Sequence, residues 1–320
     1  MSASESAPQV VVVGAGLAGV ACAREVRAAG LAVRVLDRGH RPGGRMASRR
    51  LWDRHVDLGA SYLTTSDEDF LAVVEHWRER GLAHPWTDTF CALGDRGARA
   101  TSGPVRWGAP GGLRSLVEDL AADLEVERYD VVDVDELEGA AVVLAMPDPQ
   151  ARRLVTDGHP LAEHLDRDFE AVLALAATWP GRTWDDVSPT GRFDGAFVDD
   201  DPVVAWIADD GRRRGDDAPV LVAHSTPGFA ARHLDDPVAA APEMVATLRS
   251  LMSLPEPADV HVHRWTFARP VGERSATHAL VDGPAGLVGA CGDGWGASPK
   301  VETAWLSGRD LGRAIAHRLS

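Results

Sequence analysis

The chain begins with alternating blocks of apolar and glycine-rich sequence. A β-branched run is typical of a buried parallel strand, and helical spacing of apolar residues follows it. The predicted elements are a strand at Val10–Val13, a turn at Gly14–Gly19, a helix at Val20–Ala29 ending near Gly30, and a strand at Ala32–Leu36 that ends at Asp37. Together they form one βαβ unit of the usual length, about 30 residues.

Apolar periodicity predicts further elements downstream. They are a helix over Asp67–Gly81 capped by Ser66, short strands with turns over 83–110, a helix over Gly112–Leu124, a strand over Ala140–Met146, a helix near Val238–Leu251, a strand over Gly286–Ala290 and a last helix from about Lys300 to Arg318. From about residue 160 the pattern favours strands that carry tryptophan, namely Trp179, Trp184, Trp206 and Trp265. We expect solvated loops at the charged clusters Asp199–Asp201, Asp209–Asp210 and Arg212–Arg214.

Composition excludes several partners. The chain has 320 residues, 45% of them hydrophobic, a net charge of −15 and a pI near 5.2. This acidic balance argues against a nucleic-acid surface and against an anionic membrane as partners. No apolar stretch approaches the roughly 20 residues that span a bilayer.

The cysteines and the N-terminus point to the cytoplasm. Cys22, Cys91 and Cys291 form no CxxC pair and are odd in number, which suggests neither a zinc site nor a disulfide framework. The first eight residues are polar and acidic, which argues against a signal peptide.

The first βαβ unit carries a dinucleotide-binding motif. Gly14–Gly19 fits G-x-G-x-x-G in its full context, after a strand, before a helix, and with an acid at the end of the second strand. Gly14 permits the turn, Gly16 lets the backbone approach a pyrophosphate, and Gly19 packs helix on strand. The helix N-terminus favours phosphate charge, and Asp37 would accept hydrogen bonds from ribose hydroxyls.

Two later segments favour FAD over NAD. Arg41–Ser48 supplies a second glycine-rich loop, in which Gly43 and Gly44 allow close approach and Arg45 can neutralise a pyrophosphate. At the other end, Asp293 can bind the phosphate-linked ribityl chain. The helix that begins near Lys300 can point its N-terminus at the flavin N1/C2=O edge.

These motifs resemble the FAD-dependent amine-oxidase superfamily and, more closely, the bacterial renalase-like flavoproteins. The matching segments cover nearly the whole chain: Gly14–Gly19, Asp37, Gly43–Met46, Asp57–Ala60, Leu144–Pro147, His263–Trp265, Ala268–Pro270, Gly292–Asp293 and Val301–Gly308. The resemblance implies an α/β fold, α+β overall, of the p-hydroxybenzoate hydroxylase type. A discontinuous Rossmann-type FAD domain (8–75, 106–158 and 275–320) would accompany a β-sheet substrate domain (76–105 and 159–274).

The resemblance also implies an activity and a set of site residues. The activity is oxidation of isomeric dihydronicotinamides, the 2- and 6-dihydro forms of NAD(P), by hydride transfer to flavin N5, with O2 reoxidising the flavin to give H2O2. The predicted residues for non-covalent FAD are Gly14, Gly16, Leu17, Ala18, Gly19, Asp37, Arg38, Gly44, Arg45, Met46, Gly59, Ala60, Ser61, Met146, Gly292, Asp293, Lys300 and Val301.

This chemistry needs flat rings rather than an acid–base pair. A dihydropyridine is a self-activated hydride donor, so the protein must only position it. The candidate pocket residues are Tyr62, Trp206, His224, Trp265 and Trp295, and no catalytic acid or base is assigned. For Trp265 a place in the hydrophobic core stays open here, and for His224 a purely structural hydrogen-bonding role stays open. We expect Cys291 to be a small buried residue rather than a covalent flavin link.

Other readings remain at this point. His261 and His263 share a strand face, but no further metal ligands accompany them, so no metal is predicted. A flavin amine oxidase acting on a small amine is the first alternative, although Lys300 is the only lysine and is misplaced for its usual role there. A carotenoid or porphyrin desaturase would want a longer chain. A non-catalytic flavin-binding redox sensor is the alternative from another class. The sequence does not determine whether the substrate is of the NAD or the NADP type, nor does it determine the oligomeric state.

Overall fold

The computed structural model describes residues 10–95 and 97–320. Its strands are β1 (Val10–Val13), β2 (Val33–Asp37), β3 (Ser48–Leu51), β4 (Arg54–Asp57), β5 (His84–Leu93), β6 (Arg99–Gly108), β7 (Val126–Arg128), β8 (Ala141–Leu144), β9 (Phe169–Thr178), β10 (Gly195–Val198), β11 (Val204–Asp209), β12 (Val220–Ser225), β13 (Asp259–Pro270), β14 (Ala279–Gly283) and β15 (Gly286–Ala290).

The α-helices are α1 (Leu17–Ala28), α2 (Glu68–Glu79), α3 (Leu113–Leu120), α4 (Asp148–Ala151), α5 (Asp210–Arg214), α6 (Pro227–Arg232), α7 (Ala241–Met252) and α8 (Val301–Leu319). This is the mixed α/β fold with a Rossmann-type domain that the sequence predicts. No described helix combines the length and apolar character needed to cross a bilayer.

The chain divides into two compact units. The first, called here the Rossmann unit, comprises residues up to Arg45, Val117–Phe169 and Pro270–Ser320; the second, the sheet unit, comprises Met46–Leu116 and Glu170–Arg269. These boundaries differ from the predicted domains, because the β3–β4 hairpin packs Val56 and Leu58 against strands of the sheet unit. The assignment of cofactor and substrate roles to domains stays a prediction.

The Rossmann unit is built on a six-stranded sheet in the order β14-β15-β8-β1-β2-β7. The pairs among β15, β8, β1, β2 and β7 are parallel, and β14 is antiparallel to β15. Alternate valines of β1 face opposite sides: Val10 and Val12 pack with α1 and α8, whereas Val11 and Val13 join a second apolar cluster. Because β2 and β8 flank β1, the strand order reverses there, where α/β sheets commonly bind ligands.

Helices α1 and α8 pack in unusually close contact. A Cβ on Gly308 would lie 1.9 Å from the Ala18 carbonyl oxygen, and one on Gly312 would lie 2.7 Å from that of Cys22. Contacts that advance together along both helices mean that the two run parallel. Their N-termini therefore point in the same direction.

The sheet unit contains a seven-stranded sheet in the order β13-β9-β12-β11-β10-β5-β6. One face packs on α6 and α7 through residues such as Phe229, Met244 and Leu248. The opposite face carries Val220 and Val222 under the β3–β4 hairpin and, beside them, a cluster of aromatic rings.

Several local predictions are wrong. Helix α2 is capped by Asp67, whose carboxylate accepts the Phe70 N–H, rather than by Ser66. The region 83–110 is a hairpin of two ten-residue strands. Trp179 directly follows β9, and Trp184 precedes a 3₁₀ turn, so neither lies in a strand.

The largest correction concerns charge. Asp209 and Asp210 are fully buried, and Arg213 and Arg214 are 0% and 5% exposed, on a short helix predicted as a solvated loop. The burial is compensated by ion pairs within the helix, from Asp210 to Arg213 and Arg214, and by distant residues, namely Arg54, which lies 2.6 Å from Asp210, and Arg182, which pairs with Asp209.

Candidate functional site

The carboxyl edge of the Rossmann sheet collects most of the predicted cofactor residues. Gly14 follows β1, Asp37 ends β2, Met146 lies two residues beyond β8, and Gly292 lies two residues beyond β15. Parallel pairing places these strand ends side by side, with Val13 opposite both Leu36 and Leu144. The fold therefore brings together, at one edge of the sheet, predicted cofactor residues that lie far apart in the sequence.

The three motif glycines have different structural duties. Gly14 has a φ of +110°, and a Cβ there would lie 2.6 Å from the Ala145 carbonyl oxygen. A Cβ on Gly19 would lie 1.9 Å from the Gly14 carbonyl oxygen. At Gly16 the nearest atom is the Cα of Gly44 at 3.8 Å, so a side chain would fit the fold there. The fold itself therefore leaves the bare backbone at Gly16 unexplained.

Asp37 is oriented by backbone donors. Its Oδ2 accepts the Ala15 N–H at 2.7 Å, and its Oδ1 accepts the Gly39 N–H at 2.6 Å. Each carboxylate oxygen can accept more than one hydrogen bond, so the half-buried group can still bind a hydroxyl. Arg38, also predicted to contact the cofactor, is exposed next to it.

The second glycine loop rests against the first. The Gly43 N–H donates to the Ala15 carbonyl at 2.9 Å, and a Cβ on Gly44 would lie 3.1 Å from the Gly16 Cα. Arg45 forms a two-pronged ion pair with Asp293, with N–O distances of 2.9 and 2.5 Å. Two residues predicted to act separately on the cofactor thus neutralise each other.

The loop Gly292–Gly296 is held by two arginines that sequence reasoning missed. The Arg167 guanidinium donates to the carbonyls of Gly294, Gly296 and Gly272, and the Arg274 N–H donates to Gly296. The Gly292 N–H donates to Ser307 Oγ at 2.9 Å. Neither arginine belongs to a recognisable motif, so only the fold reveals them.

Trp295, predicted to line a pocket, lies in the interior of the Rossmann unit. Its ring is 3% exposed within an apolar cluster, and the Arg274 guanidinium stacks 4.0 Å from its centroid. This placement favours a core role, because the rest of the ring's surface is already covered.

Helix α8 begins beside this loop. Its N-cap is Lys300, which makes no side-chain cap, and Val301 opens the helix. The first N–H groups of any helix lack intrahelical acceptors, so they are available to a ligand's partial negative charge.

Of the remaining predicted cofactor residues, Leu17 and Ala18 open α1 in the Rossmann unit, whereas Met46 and Gly59–Ser61 belong to the sheet unit. The latter lie on or near the loop Asp57–Tyr62, called here the clamp loop, whose oxygens accept many side-chain donors. Arg213 donates to the carbonyls of Asp57 (2.9 Å) and Ser61 (3.1 Å), and Trp206 donates to Ser61 Oγ at 3.0 Å. Whether the loop touches a cofactor stays a prediction.

Four predicted pocket residues come together on the aromatic face of the sheet unit. Tyr62 contacts Trp206 with ring centroids 5.8 Å apart, and His224 pairs directly across the strands with Trp206. Trp265 and His224 both hydrogen-bond to the Leu58 carbonyl, at 2.8 and 3.2 Å. Trp86 and Phe90 extend the cluster beyond Tyr62.

A buried network of ion pairs, centred on Asp210, lies beside the clamp loop and holds it in place. Asp210 accepts from Arg54 (2.6 Å), from Arg213 (2.5 and 3.1 Å) and from Arg214 (3.1 Å). Burial alone would raise the pKa of Asp210, but the charges of Arg213, Arg214 and Arg54 outweigh it and hold the pKa at about 2. The carboxylate is therefore ionised, and the clamp loop is tied to it through Arg213.

Two titratable groups of the aromatic face, His224 and Tyr62, lie close to positively charged arginines. Burial, followed by the charges of Arg269 and Arg213, lowers the pKa of His224 to about 3. Burial raises the pKa of the Tyr62 hydroxyl, against the opposing influence of Arg106 and Arg269. Near pH 7 both groups are neutral.

The structure also describes the surroundings of Cys291 and of the His261–His263 pair. Burial raises the pKa of Cys291 to about 12, so its thiol is a poor nucleophile. Within the described residues, no group of histidine, cysteine and carboxylate side chains could hold a metal ion, and His261 and His263 gain no further ligands.

Sequence comparisons match parts of the chain. A family profile described as an NAD(P)-binding Rossmann-like domain matches residues 12–77. The lysine-specific histone demethylase 1 homolog 1 of Arabidopsis thaliana is 30% identical over 162 residues, which is 48% of this chain and 19% of that protein. The protein FLOWERING LOCUS D from the same plant is 42% identical over 66 residues, 8% of its length. The chain thus spans about a fifth or less of these relatives.

Structural comparisons match the whole chain. A proposed protoporphyrinogen oxidase from an Exiguobacterium species has a TM-score of 0.75 at 14% identity, covering 98% of this chain and 99% of that one. Cyclohexylamine oxidase from Brevibacterium oxydans has a TM-score of 0.74 at 15% identity, covering 98% and 100%. Putrescine oxidase bound to putrescine has a TM-score of 0.68 at 14% identity. At these identities the likeness establishes the shared fold.

Proposed function

We propose that the chain is an FAD-dependent oxidoreductase that oxidises isomeric dihydronicotinamides, the 2- and 6-dihydro forms of NAD(P). The proposal includes non-covalent FAD, O2 as the final oxidant, H2O2 as the product and the cytoplasm as the location. The renalase-like resemblance suggests this substrate, and the shared fold with oxidases supports the reaction class.

The observation that carries the substrate proposal is the aromatic face of the sheet unit. Its partly exposed side chains are Tyr62, Trp265 and the neutral His224, the Trp206 ring is buried, and the nearby charges, Arg106 and Arg269, are positive. A protonated amine is repelled by such a surface, whereas the pyrophosphate of a dinucleotide is attracted to it. A dihydronicotinamide needs positioning and no base, which suits groups that are neutral at pH 7.

The Rossmann unit fits the adenosine and pyrophosphate of FAD. Gly16 leaves room where a Cβ would stand, the glycine N-cap of α1 offers no side chain to cover the first N–H groups, and Asp37 can accept ribose hydroxyls. The paired Arg45 and Asp293 present donors and acceptors without net charge. Bound there, FAD would supply the acceptor for the substrate's hydride and pass the electrons to O2.

The thiol chemistry supports a non-covalent cofactor. Cys291 follows β15 directly and is the cysteine nearest in sequence to the Gly292–Gly296 loop, but it is fully buried. Covalent attachment through a cysteine requires a thiolate, and the raised pKa keeps the Cys291 thiol protonated.

A direct test mixes the purified protein, loaded with FAD and under anaerobic conditions, with 6-dihydro-NAD, with β-NADH and with a panel of amines that includes putrescine and cyclohexylamine. We expect rapid loss of flavin absorbance with the dihydro isomer alone. Bleaching by an amine alone would replace the proposal with an amine oxidase, an alternative favoured by the structural neighbours. No bleaching by any donor would favour a redox sensor.

A further inference from the structure

One polar side chain stands in the middle of the aromatic face. His224 on β12 pairs directly with Trp206 on β11 and, on its other side, with Ala174 on β9. Directly opposed residues on neighbouring strands share a face of the sheet. Trp265 donates to the same Leu58 carbonyl as His224, so both side chains reach one backbone oxygen from this face, and the cross-strand neighbour Ala174 is small.

The tautomer of His224 follows from its one hydrogen bond. Its Nε2 lies 3.2 Å from the Leu58 carbonyl oxygen, and a carbonyl can only accept. Nε2 must therefore carry the proton. Because the ring is neutral at pH 7, its Nδ1 holds a bare lone pair.

The lone pair has no partner within residues 10–95 and 97–320. The only hydrogen bond of the ring is the one to Leu58, and the side chain is partly rather than fully buried. The two indole N–H groups on this face are already engaged, Trp206 with Ser61 Oγ and Trp265 with Leu58. An acceptor that neither indole satisfies suits a ligand that brings its own N–H.

We infer that His224 determines substrate specificity, by accepting through Nδ1 a hydrogen bond from the carboxamide NH2 of the dihydronicotinamide ring. The inference rests on the proposed function and adds to it the group by which the ring is recognised. The carboxamide is the one N–H donor on that ring, and the partly exposed rings of Tyr62 and Trp265 on the same face suit its flat shape. An acceptor that the ligand covers discriminates against an analogue that lacks the donor.

The test compares 6-dihydro-NAD with its 3-acetylpyridine counterpart, in which a methyl ketone replaces the amide and removes the donor. In the wild-type protein we expect kcat/KM to favour the amide by roughly 10- to 100-fold, the value of one well-placed hydrogen bond. In His224→Phe the ratio should fall to about 1, through loss on the amide substrate alone, because no nitrogen remains.

Two further variants separate recognition from structure. His224→Asn places an amide oxygen on the same branch as Nδ1 and should keep part of the preference. His55→Phe changes an exposed histidine of the same unit and should leave the ratio at the wild-type value. The dissociation constants of NAD and its acetylpyridine analogue, followed by tryptophan fluorescence, should change in parallel with the kinetic ratios.

The outcomes distinguish the two proposals. If the wild-type protein is reduced by neither nicotinamide, the proposed function fails. If it is reduced by both and His224→Phe keeps the wild-type ratio, or loses activity equally on both, the role of His224 is overturned. Should His224→Phe fold poorly, an unchanged ratio in His224→Asn together with an equal affinity of the wild-type protein for the two oxidised nucleotides would also overturn it.

Discussion

The two candidate surfaces of this molecule are built in opposite ways. The carboxyl edge of the Rossmann unit is made of backbone: two glycine loops in contact, helix N-termini and one carboxylate held by N–H groups. The aromatic face of the sheet unit is made of side chains, and a buried network of arginines and aspartates fixes them. In the first surface a side chain at Gly14 or Gly19 would clash with backbone, whereas the second depends on the balance of its buried charges.

We expect the largest effect from a substitution in the buried ion network of the sheet unit. In Arg213→Met, Asp210 loses its fully buried partner, and the carbonyls of Asp57 and Ser61 lose a donor. We expect the free energy of unfolding to fall by about 3–5 kcal/mol, as when one member of a buried ion pair is removed. Urea denaturation followed by tryptophan fluorescence measures this, and a loss below 1 kcal/mol would contradict the role of the network.

A matched arginine supplies the control. Arg318 pairs with Asp282 on the exposed surface, with side chains 47% and 80% exposed. Arg318→Met should change the free energy of unfolding by less than about 0.5 kcal/mol, because exposed ion pairs contribute little. A large loss of stability in Arg318→Met would mean that burial does not explain the difference expected between Arg213 and Arg318.

This contrast explains what the sequence could predict. The glycine turn, the following helix and Asp37 lie within about 30 residues, so local pattern and chemistry suffice to predict a nucleotide site at this edge. The partners of Asp210 include Arg54, 156 residues away. A charge run such as Arg212–Arg214 has the same local pattern whether it is solvated or buried, and only long-range packing decides between them.

Two details of side-chain placement lie beyond local pattern. Ser66 and Asp67 are both good N-cap residues, and one residue of register decides which side chain reaches the Phe70 N–H. Trp295 lies in the predicted flavin loop, and the Arg274 guanidinium that stacks on its ring comes from another segment of the chain. The sequence pattern predicts the loop and does not orient this side chain, whose pocket role stays a prediction.

A second prediction concerns Gly16 at the carboxyl edge of the Rossmann unit. Gly16→Ala places a methyl group at ordinary van der Waals distance from Gly44, so the free energy of unfolding of the apo-protein should change by less than about 0.5 kcal/mol. Affinity for FAD should fall at least tenfold, because the methyl group occupies the space for the pyrophosphate. Flavin fluorescence titration measures the dissociation constant, with Gly228→Ala, where nothing crowds the added Cβ, as the control. Unchanged affinity would show that no phosphate approaches Gly16.

A third prediction uses pH on the aromatic face. The pKa of His224 in the folded protein is about 3, against about 6.5 in the unfolded chain. The unfolded state therefore binds the extra proton first, and stability is lost as pH falls from about 6.5 towards 3. We expect His224→Asn to remove about 1–2 kcal/mol of this loss, allowing for the partial exposure of the ring. Urea denaturation at pH 7 and pH 4.5 tests it; identical pH dependence in both proteins would contradict a neutral, buried imidazole.

The most direct test of the central claim identifies what the Rossmann unit binds. The purified protein is incubated with FAD, NAD and NADP together, freed of unbound nucleotide, and denatured by heat or acid. Chromatography of the supernatant then identifies the released compound. We predict that FAD is released intact and that none stays with the precipitated protein. Release of NAD or NADP alone, or of no dinucleotide, would contradict the account, and FAD left in the precipitate would contradict the non-covalent site.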